Sequence, residues 1–272
     1  MLRDTLAEAA LGALQGLTEF LPVSSSGHLA LGAYFFGMGE GTLAFIVLVH
    51  VATLFATLAV LVPEARDERG GFPGGLPARL YQARSALFGL GLATLVTVAV
   101  ALPLRHWAEA ATMQPLWVAG GFLISGIAVL SVRFVQPRAA APHHLPKLWA
   151  YGIIGLVQGL AVWPGISRSG STIAAALWLG FNPTQAFRCS FWLSIPAIAG
   201  AAFLTVLSEV RAKGAAAAAA ELGVSTLIAF VTAALVGYLA LRLVRRSLLN
   251  AWFHRLAYYL FPLALLTAWL SR

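Results

Sequence analysis

The sequence predicts an all-α integral membrane protein, in which six transmembrane helices and two re-entrant helix pairs are arranged as inverted repeats. Composition, long apolar runs and two interrupted apolar segments support this prediction. Of the 272 residues, 60% are hydrophobic and only 10% are charged, whereas soluble domains average about 45–50% apolar and about 25% charged residues. This composition excludes a soluble enzyme, a nucleic-acid-binding module and a disordered regulator.

The charge pattern also indicates a membrane protein. The formal net charge is +8, but the basic residues lie between long apolar stretches. In that setting they set the orientation in the membrane, so no nucleic-acid partner is expected. The single cysteine, Cys189, excludes a disulfide framework and a cysteine-based metal site.

Six apolar runs approach or exceed the roughly 20 residues that a helix needs to cross a bilayer. We therefore predict six spans, at about 43–63, 85–104, 115–135, 187–207, 222–242 and 251–270.

Two further apolar segments, at about 5–38 and 148–180, are interrupted by polar residues from Glu19 to His28 and from Trp163 to Thr172. Each half has about 12–15 residues, which is too few to span a bilayer at about 1.5 Å per residue. Non-helical backbone at membrane depth is tolerated only inside protein or beside a water-filled cavity. We predict that each segment forms a helix, a polar loop and a short returning helix; the alternative is an ordinary span kinked at proline.

The two interruptions share one register. At an offset of 143 residues, Gln15-Gly-Leu matches Gln158-Gly-Leu, and the same offset pairs Ser24, Ser26 and Gly27 with Ser167, Ser169 and Gly170. This match indicates an internal duplication; the alternative is chance agreement in a sequence rich in glycine and leucine. Three spans follow each interrupted segment, and an odd number of crossings inverts the second half. The predicted site lies where the two segments meet near the midplane.

The predicted organisation therefore has three parts. Residues 1–135 form the first repeat, residues 136–147 a cytoplasmic linker and residues 148–272 the second repeat. If the interrupted segments do not cross the membrane, most loop arginines and lysines fall on one face. The positive-inside rule then places both termini on the outer, periplasmic side.

The broken segments contain ionisable groups, which are costly in the membrane interior and indicate a functional site. They are Glu19, His28 and Arg168. Gln15 lies four residues before Glu19, so both side chains share one helical face. A carboxylate beside an amide oxygen suits Mg²⁺ or Ca²⁺. The alternative is that Glu19 only pairs with Arg168, and the two roles can coexist.

Both loops also have the features of a phosphate site. The first N–H groups of a helix lack internal partners and favour an anion. Hydroxyls add donors, and a guanidinium can bind a phosphate with two parallel hydrogen bonds. The alternative role of these serines is N-capping. The candidate diphosphate ligands are Arg168, Ser24, Ser26, Gly27, Ser167, Ser169, Gly170 and Thr172.

Three residues of the first loop suggest catalysis. Ser25 and His28 are candidate nucleophiles or bases, and Glu19 is a candidate metal ligand and catalytic group. His50 also lies in an apolar stretch, but it has no such neighbours in the sequence, and we interpret it as structural.

The run from Gln15 through Glu19-Phe-Leu-Pro-Val-Ser-Ser-Ser-Gly to His28 resembles a signature of the bacterial undecaprenyl-pyrophosphate phosphatases of the bacitracin-resistance type. The run Pro164-Gly-Ile-Ser-Arg-Ser-Gly-Ser-Thr172 resembles their second signature. The resemblance extends along essentially the whole chain. It implies six spans with two re-entrant pairs, and a divalent-cation-dependent removal of the terminal phosphate of undecaprenyl diphosphate at the outer side of the bacterial cytoplasmic membrane. This reaction recycles the lipid carrier for peptidoglycan synthesis and confers bacitracin resistance.

The resemblance also implies roles for individual residues. Glu19 and Gln15 would be the acidic or metal-linked pair, Ser25 the nucleophile or a phosphate ligand, and His28 catalytic. Arg168 would bind the diphosphate, surrounded by Ser167, Ser169 and Thr172. The chain departs from the family pattern at two positions, since Gln15 stands where many members have Glu and Ser26 replaces a common Thr. The attacking group remains open between Ser25, His28 and water.

A membrane carrier (flippase) for polyprenyl phosphate or a small anion is the alternative function, because inverted repeats with broken helices are also typical of transporters. Transport of an anion does not require Glu19, Ser25 and His28 on one loop, which favours the enzyme. The expected partners are a polyprenyl diphosphate substrate, membrane lipids and, as a further expectation, a second copy of the chain in a homodimer.

Overall fold

The computed structural model of the chain describes residues 2–36, 43–67, 75–135, 147–214 and 223–271, and within these ranges every regular element is helical. The all-α prediction is confirmed. The helices are α1 (Leu2–Phe20), α2 (Ser25–Phe36), α3 (Leu43–Asp67), α4 (Gly75–Thr112), α5 (Pro115–Ser131), α6 (Leu148–Leu160), α7 (Arg168–Trp178), α8 (Pro183–Lys213), α9 (Val224–Leu249) and α10 (Ala257–Leu270), with 3₁₀ turns at Val132–Phe134 and Phe253–Leu256.

Five helical segments in the described ranges are long and apolar enough to cross a membrane, which confirms a multi-pass membrane protein. They coincide with five of the six predicted runs. They are Phe45–Pro63, Arg84–Thr112, Pro115–Phe134, Pro183–Ser208 and Val224–Leu249.

The sixth predicted run, at about 251–270, does not form one long helix. Ala251 adopts a left-handed backbone with φ of 58°, and the 3₁₀ turn Phe253–Leu256 separates it from α10. With 14 residues, α10 is roughly 21 Å long, which is shorter than the roughly 30 Å hydrocarbon core. The predicted count of six spans is therefore not confirmed.

Both predicted interruptions are present, but they are shorter than the sequence suggests. α1 ends at Phe20 and α2 begins at Ser25, while α6 ends at Leu160 and α7 begins at Arg168. The polar residues that follow Ser25 and Arg168 therefore belong to the first turns of α2 and α7 rather than to the loops. α1 is longer than the predicted half-segment, with 19 residues, whereas α2, α6 and α7 have 12, 13 and 11. Residues 37–38 of the first segment and 136–146 of the predicted linker lie outside the described residues.

The first helix of each broken segment packs against a helix of the other half of the chain. α1 lies along α9, and α6 lies along α4. Glycines permit this approach, because a Cβ on Gly16 would lie 2.5 Å from the Ala233 carbonyl oxygen, and one on Gly159 would lie 3.1 Å from the Thr97 carbonyl oxygen. Small residues of this kind allow membrane helices to approach closely. Gly16 and Gly159 are also related by the offset of 143 residues.

A buried aromatic cluster holds the end of α1 in place. The Phe20 side chain, which directly follows Glu19, is fully buried. Its ring centroid lies 5.9 Å from that of Phe191 on α8, and Phe191 lies 4.8 Å from Phe187. Because side chains in protein interiors are close-packed, this cluster fixes the position of the first loop against the second half of the chain.

The close contact between α5 and the second loop generates a test with a matched control. A Cβ on Gly121 would collide with the Pro164 carbonyl oxygen and lie 2.7 Å from the Gly165 carbonyl carbon, whereas a Cβ on the adjacent Gly120 meets nothing within 4 Å. Alanine is favoured over glycine in a helix by about 1 kcal/mol. We expect Gly120→Ala to leave the thermal unfolding midpoint of the detergent-purified protein unchanged or raised. Gly121→Ala should destabilise it by about 1–3 kcal/mol through overpacking. Equal midpoints for the two variants would contradict the packing of loop 161–167 on α5.

Candidate active site

An ion pair joins the two broken segments. The Glu19 carboxylate, at the end of α1, accepts a hydrogen bond at Oε1 from Arg168 Nη2, at the start of α7, over 2.5 Å. The side chains are only 7% and 16% exposed. Two residues separated by 149 positions in the sequence are therefore in direct contact. The ion pair between Glu19 and Arg168, which the sequence left as an alternative, is present.

The second carboxylate oxygen of Glu19 is the acceptor for two further predicted site residues. Glu19 Oε2 accepts hydrogen bonds from Ser25 Oγ over 2.8 Å and from Gln15 Nε2 over 3.1 Å. A hydroxyl that donates to a carboxylate is arranged for activation by a general base. Gln15, Glu19, Ser25 and Arg168 thus form one contiguous group, which we call the Glu19 cluster.

The Glu19 cluster draws on equivalent positions of the two segments. Ser25 is the first residue of α2 and Arg168 the first residue of α7, and the offset of 143 residues relates them. One segment therefore supplies a hydroxyl and the other a guanidinium to the same carboxylate. The position equivalent to Glu19 is Val162, so the described site has a single carboxylate at its centre.

Several of the predicted phosphate ligands cap helices. Ser24 Oγ accepts from the Gly27 N–H over 3.3 Å, and Ser167 Oγ accepts from the Gly170 N–H over 3.1 Å. Each serine is also 3.3 Å from the hydroxyl two residues later, on Ser26 in the first loop and on Ser169 in the second. The N-capping role is therefore present for Ser24 and Ser167. The two caps share one hydrogen-bond pattern, although φ is 66° at Ser24 and −74° at Ser167.

The remaining candidates have different surroundings. Ser26 is exposed, whereas Ser169 Oγ donates to the Leu21 carbonyl oxygen over 3.3 Å and so links the two loops. Thr172 is fully buried and lies against α8, where its Oγ1 is 2.7 Å from Ser190 Oγ. The contacts of Thr172 therefore belong to helix packing rather than to the Glu19 cluster.

Ser125 of α5, a residue with no predicted role, binds the second loop. Ser125 Oγ accepts from the Ser167 N–H over 2.7 Å and donates to the Gly165 carbonyl oxygen over 3.0 Å. Gly165 has φ of +84°, a conformation that favours glycine. The only signal in the sequence is one serine within a long apolar run, which is too weak to assign a role.

His28 has a partner that the sequence did not reveal. Its Nδ1 is 2.8 Å from the Ser24 carbonyl oxygen, which can only accept, so Nδ1 holds the hydrogen in the neutral ring. Nε2 then accepts from Tyr259 Oη over 2.8 Å. The two rings are stacked with centroids 5.7 Å apart. Tyr259 of α10 therefore orients His28 and occupies the ring nitrogen that would act as a base.

His50 of α3 contacts the Glu19 cluster, although its sequence context predicts only a structural role. Its Nε2 lies 3.2 Å from Gln15 Nε2 and 4.0 Å from Glu19 Oε2. Nothing in the sequence links α3 to the first loop, because this contact depends on how the helices pack.

Two buried polar atoms of the Glu19 cluster have no hydrogen-bond partner: Arg168 Nη1 and Gln15 Oε1. An unpaired guanidinium nitrogen suits an anion, and an unpaired amide oxygen suits a hard cation. The described residues contain no group of three or more His, Cys, Asp or Glu side chains that could hold a metal ion. The side-chain oxygens of Glu19, Gln15 and Ser25 are ligands of the hard type that Mg²⁺ accepts alongside substrate phosphates and water.

Comparison with known proteins agrees with both signatures. The family model described as bacitracin resistance protein BacA matches residues 8–266, which include both broken segments and the Glu19 cluster. The chain belongs to this family. The resemblance noted in the two signature motifs is thereby confirmed.

Three relatives are similar to this chain over nearly their whole length, and each is named undecaprenyl-diphosphatase. The relative from Desulfosudis oleivorans is 36% identical over 283 residues, covering 96% of each chain. The one from Rubrobacter xylanophilus is 37% identical over 270 residues, covering 97% of each chain. The one from Treponema denticola is 36% identical over 262 residues, covering 94% of this chain and 93% of the relative.

The buried ion pair predicts a non-additive pattern of stability. Glu19→Gln leaves the Arg168 charge buried without its partner, and Arg168→Met does the same to Glu19. We expect each single variant to lose about 3–5 kcal/mol of unfolding free energy, and the double variant to recover most of that loss. Thermal unfolding of the purified proteins measures the cycle.

The exposed pair Arg105–Glu109 provides the control, because removal of either partner should change stability by less than about 1 kcal/mol. Additive losses at Glu19 and Arg168 would show that the two charges do not interact.

Proposed function

We propose that this chain is an undecaprenyl-diphosphatase that hydrolyses undecaprenyl diphosphate to undecaprenyl phosphate and inorganic phosphate. BacA family membership and the names of the three relatives support this reaction. The observation that carries it is the Glu19 cluster, in which a hydroxyl, a carboxylate and a partly unpaired guanidinium converge from two loops. Such a reaction recycles the lipid carrier for peptidoglycan synthesis and underlies bacitracin resistance.

The chemistry of the Glu19 cluster follows from its hydrogen bonds. Arg168 Nη1 is free to bind a phosphate oxygen while Nη2 remains on Glu19, so the charge that builds up during phosphoryl transfer is stabilised. The attacking oxygen is Ser25 Oγ or a water molecule that Ser25 orients, and in both cases Glu19 Oε2 receives its proton. The phosphorus–oxygen bond to the polyprenyl phosphate breaks as the new bond forms. With Ser25 as nucleophile, water then releases the phosphate.

His28 has a supporting role in this scheme. Its Nε2 accepts from Tyr259 in the observed state, so it becomes available as a base only when that hydrogen bond opens. Its imidazole follows the first loop directly and can assist proton transfer to the leaving group or to water.

We also propose Mg²⁺ or Ca²⁺ as the cofactor, held by Glu19 and by Gln15 Oε1 together with diphosphate oxygens. When bound, such a cation would neutralise charge on the diphosphate. The unpaired Gln15 Oε1 supports this proposal. The carrier alternative has no support in the comparisons, since the relatives are named for a hydrolase.

The proposed architecture keeps the two inverted repeats, with the turn at 253–256 and α10 completing a sixth crossing. The matching serine caps and the reciprocal packing of α1 on α9 and α6 on α4 support a duplicated fold. The distribution of basic residues supports periplasmic termini in the bacterial inner membrane. The proposed partners are a polyprenyl diphosphate substrate, membrane lipids and a second copy of the chain in a homodimer.

Hydrolysis provides the direct test of the proposed function. Purified protein in detergent should release phosphate from undecaprenyl diphosphate in the presence of Mg²⁺ or Ca²⁺. We expect Glu19→Ala and Arg168→Ala each to lower kcat by a factor of about 10²–10³ or more. Arg168→Ala removes charge stabilisation at the reacting phosphate, and Glu19→Ala removes the group that accepts the proton. The matched controls Glu109→Ala and Arg105→Ala should retain wild-type rates. If the wild-type protein releases no phosphate but moves polyprenyl phosphate across vesicles, the carrier function replaces the enzyme.

Cation dependence provides a separate test. Chelation with EDTA should abolish phosphate release, and added Mg²⁺ or Ca²⁺ should restore it. Gln15→Leu should raise the cation concentration required for half-maximal rate, because one oxygen ligand is lost, whereas Gln185→Leu, at the start of α8, should not. Full activity in EDTA would contradict the proposed cofactor without affecting the assignment of Glu19 and Arg168.

A further inference from the structure

The hydrogen bonds of His50 have a defined direction. Its Nδ1 lies 2.8 Å from the Ile46 carbonyl oxygen, one turn earlier in α3. A carbonyl oxygen only accepts, so Nδ1 is the protonated nitrogen of the neutral ring and Nε2 presents a lone pair. This lone pair faces Gln15 Nε2 at 3.2 Å. His50 therefore accepts a hydrogen bond from the Gln15 amide.

The orientation of the Gln15 amide follows from its two neighbours. The amide nitrogen donates one hydrogen to His50 Nε2 and the other to Glu19 Oε2, at 3.1 Å. A flipped amide would place its oxygen against a lone pair and a carboxylate, which replaces two hydrogen bonds with two repulsive contacts. In the observed orientation Gln15 Oε1 is buried without a partner. Without His50, only the hydrogen bond to Glu19 would fix the orientation of the Gln15 amide.

We propose that His50 is a positioning residue that locks the Gln15 carboxamide, with its nitrogen on Glu19 and its oxygen presented to the divalent cation of the diphosphate. This inference rests on the proposed function. His50 is 4.0 Å from Glu19 Oε2, which is too far for a hydrogen bond, so it acts through Gln15. Groups that orient a metal ligand in this way commonly change metal affinity or activity 10–100-fold when removed.

The test compares two substitutions of His50. His50→Leu removes the acceptor, whereas His50→Gln supplies a side-chain oxygen that can accept from Gln15. We expect His50→Leu to raise the Ca²⁺ concentration for half-maximal thermal stabilisation of the purified protein about tenfold or more, and to lower kcat about 10–100-fold. His50→Gln should stay close to wild type in both measurements. His106→Leu, at an exposed position on α4, is the control for loss of a histidine.

A second comparison separates positioning from general packing. In a Gln15→Leu background, adding His50→Leu should cause no further change in kcat or in the Ca²⁺ midpoint, because the residue through which His50 acts is already absent. An equal further loss would overturn the inference, as would a His50→Gln variant as impaired as His50→Leu. If Glu19→Ala is inactive while His50→Leu matches wild type, only this inference fails. If Glu19→Ala remains fully active, the proposed function fails as well.

Discussion

The buried ion pair between Glu19 and Arg168 is the interaction on which the described structure depends most. Two opposite charges removed from water are costly unless they meet at close range and have further hydrogen bonds. Both conditions hold here, because Glu19 also accepts from Ser25 and Gln15. The pair joins segments from the two halves of the chain. Either charge alone would be left buried without compensation, so the loss of one partner should reduce stability as well as disturb the candidate site.

The two loops are possible because the chain satisfies their backbone groups locally. A break in a membrane helix exposes N–H and C=O groups that lipid cannot bind. Ser24 and Ser167 cap the helices that follow, and Ser125 binds the Gly165 carbonyl oxygen and the Ser167 N–H at the end of the second loop. Much of the serine content of the two signatures is therefore explained by the architecture of the loops, which in turn brings Ser25 and Arg168 to one carboxylate.

Two polar atoms of the Glu19 cluster have no hydrogen-bond partner, and they are the atoms available to a substrate or a cation. Buried polar groups without partners are rare in folded proteins and require an explanation. Arg168 Nη1 and Gln15 Oε1 are a donor and an acceptor in the same cluster, which matches a substrate that combines anionic oxygens with a cation. His50 lies behind Gln15 and determines which atom of its amide remains available, whereas Tyr259 occupies Nε2 of His28.

The amino-acid sequence by itself determined the membrane class, the positions of the long helices and the two interruptions, because these depend on local hydropathy and on residues such as Pro22 and Gly165. It also identified Glu19, Ser25 and Arg168 as candidates, since charged and serine-rich stretches are conspicuous in an apolar chain. The short α10 was not predicted, because the run at 251–270 is apolar on average, although its first residues include His254 and Arg255 of the turn at 253–256. Only the tertiary structure decided that His50, Ser125 and Tyr259 adjoin the site and that Thr172 faces α8. His50 and Ser125 are single polar residues in apolar runs, whereas Tyr259 follows another tyrosine and Thr172 ends a serine-rich run. The role of each depends on which helix packs beside it, a long-range property that local sequence does not contain.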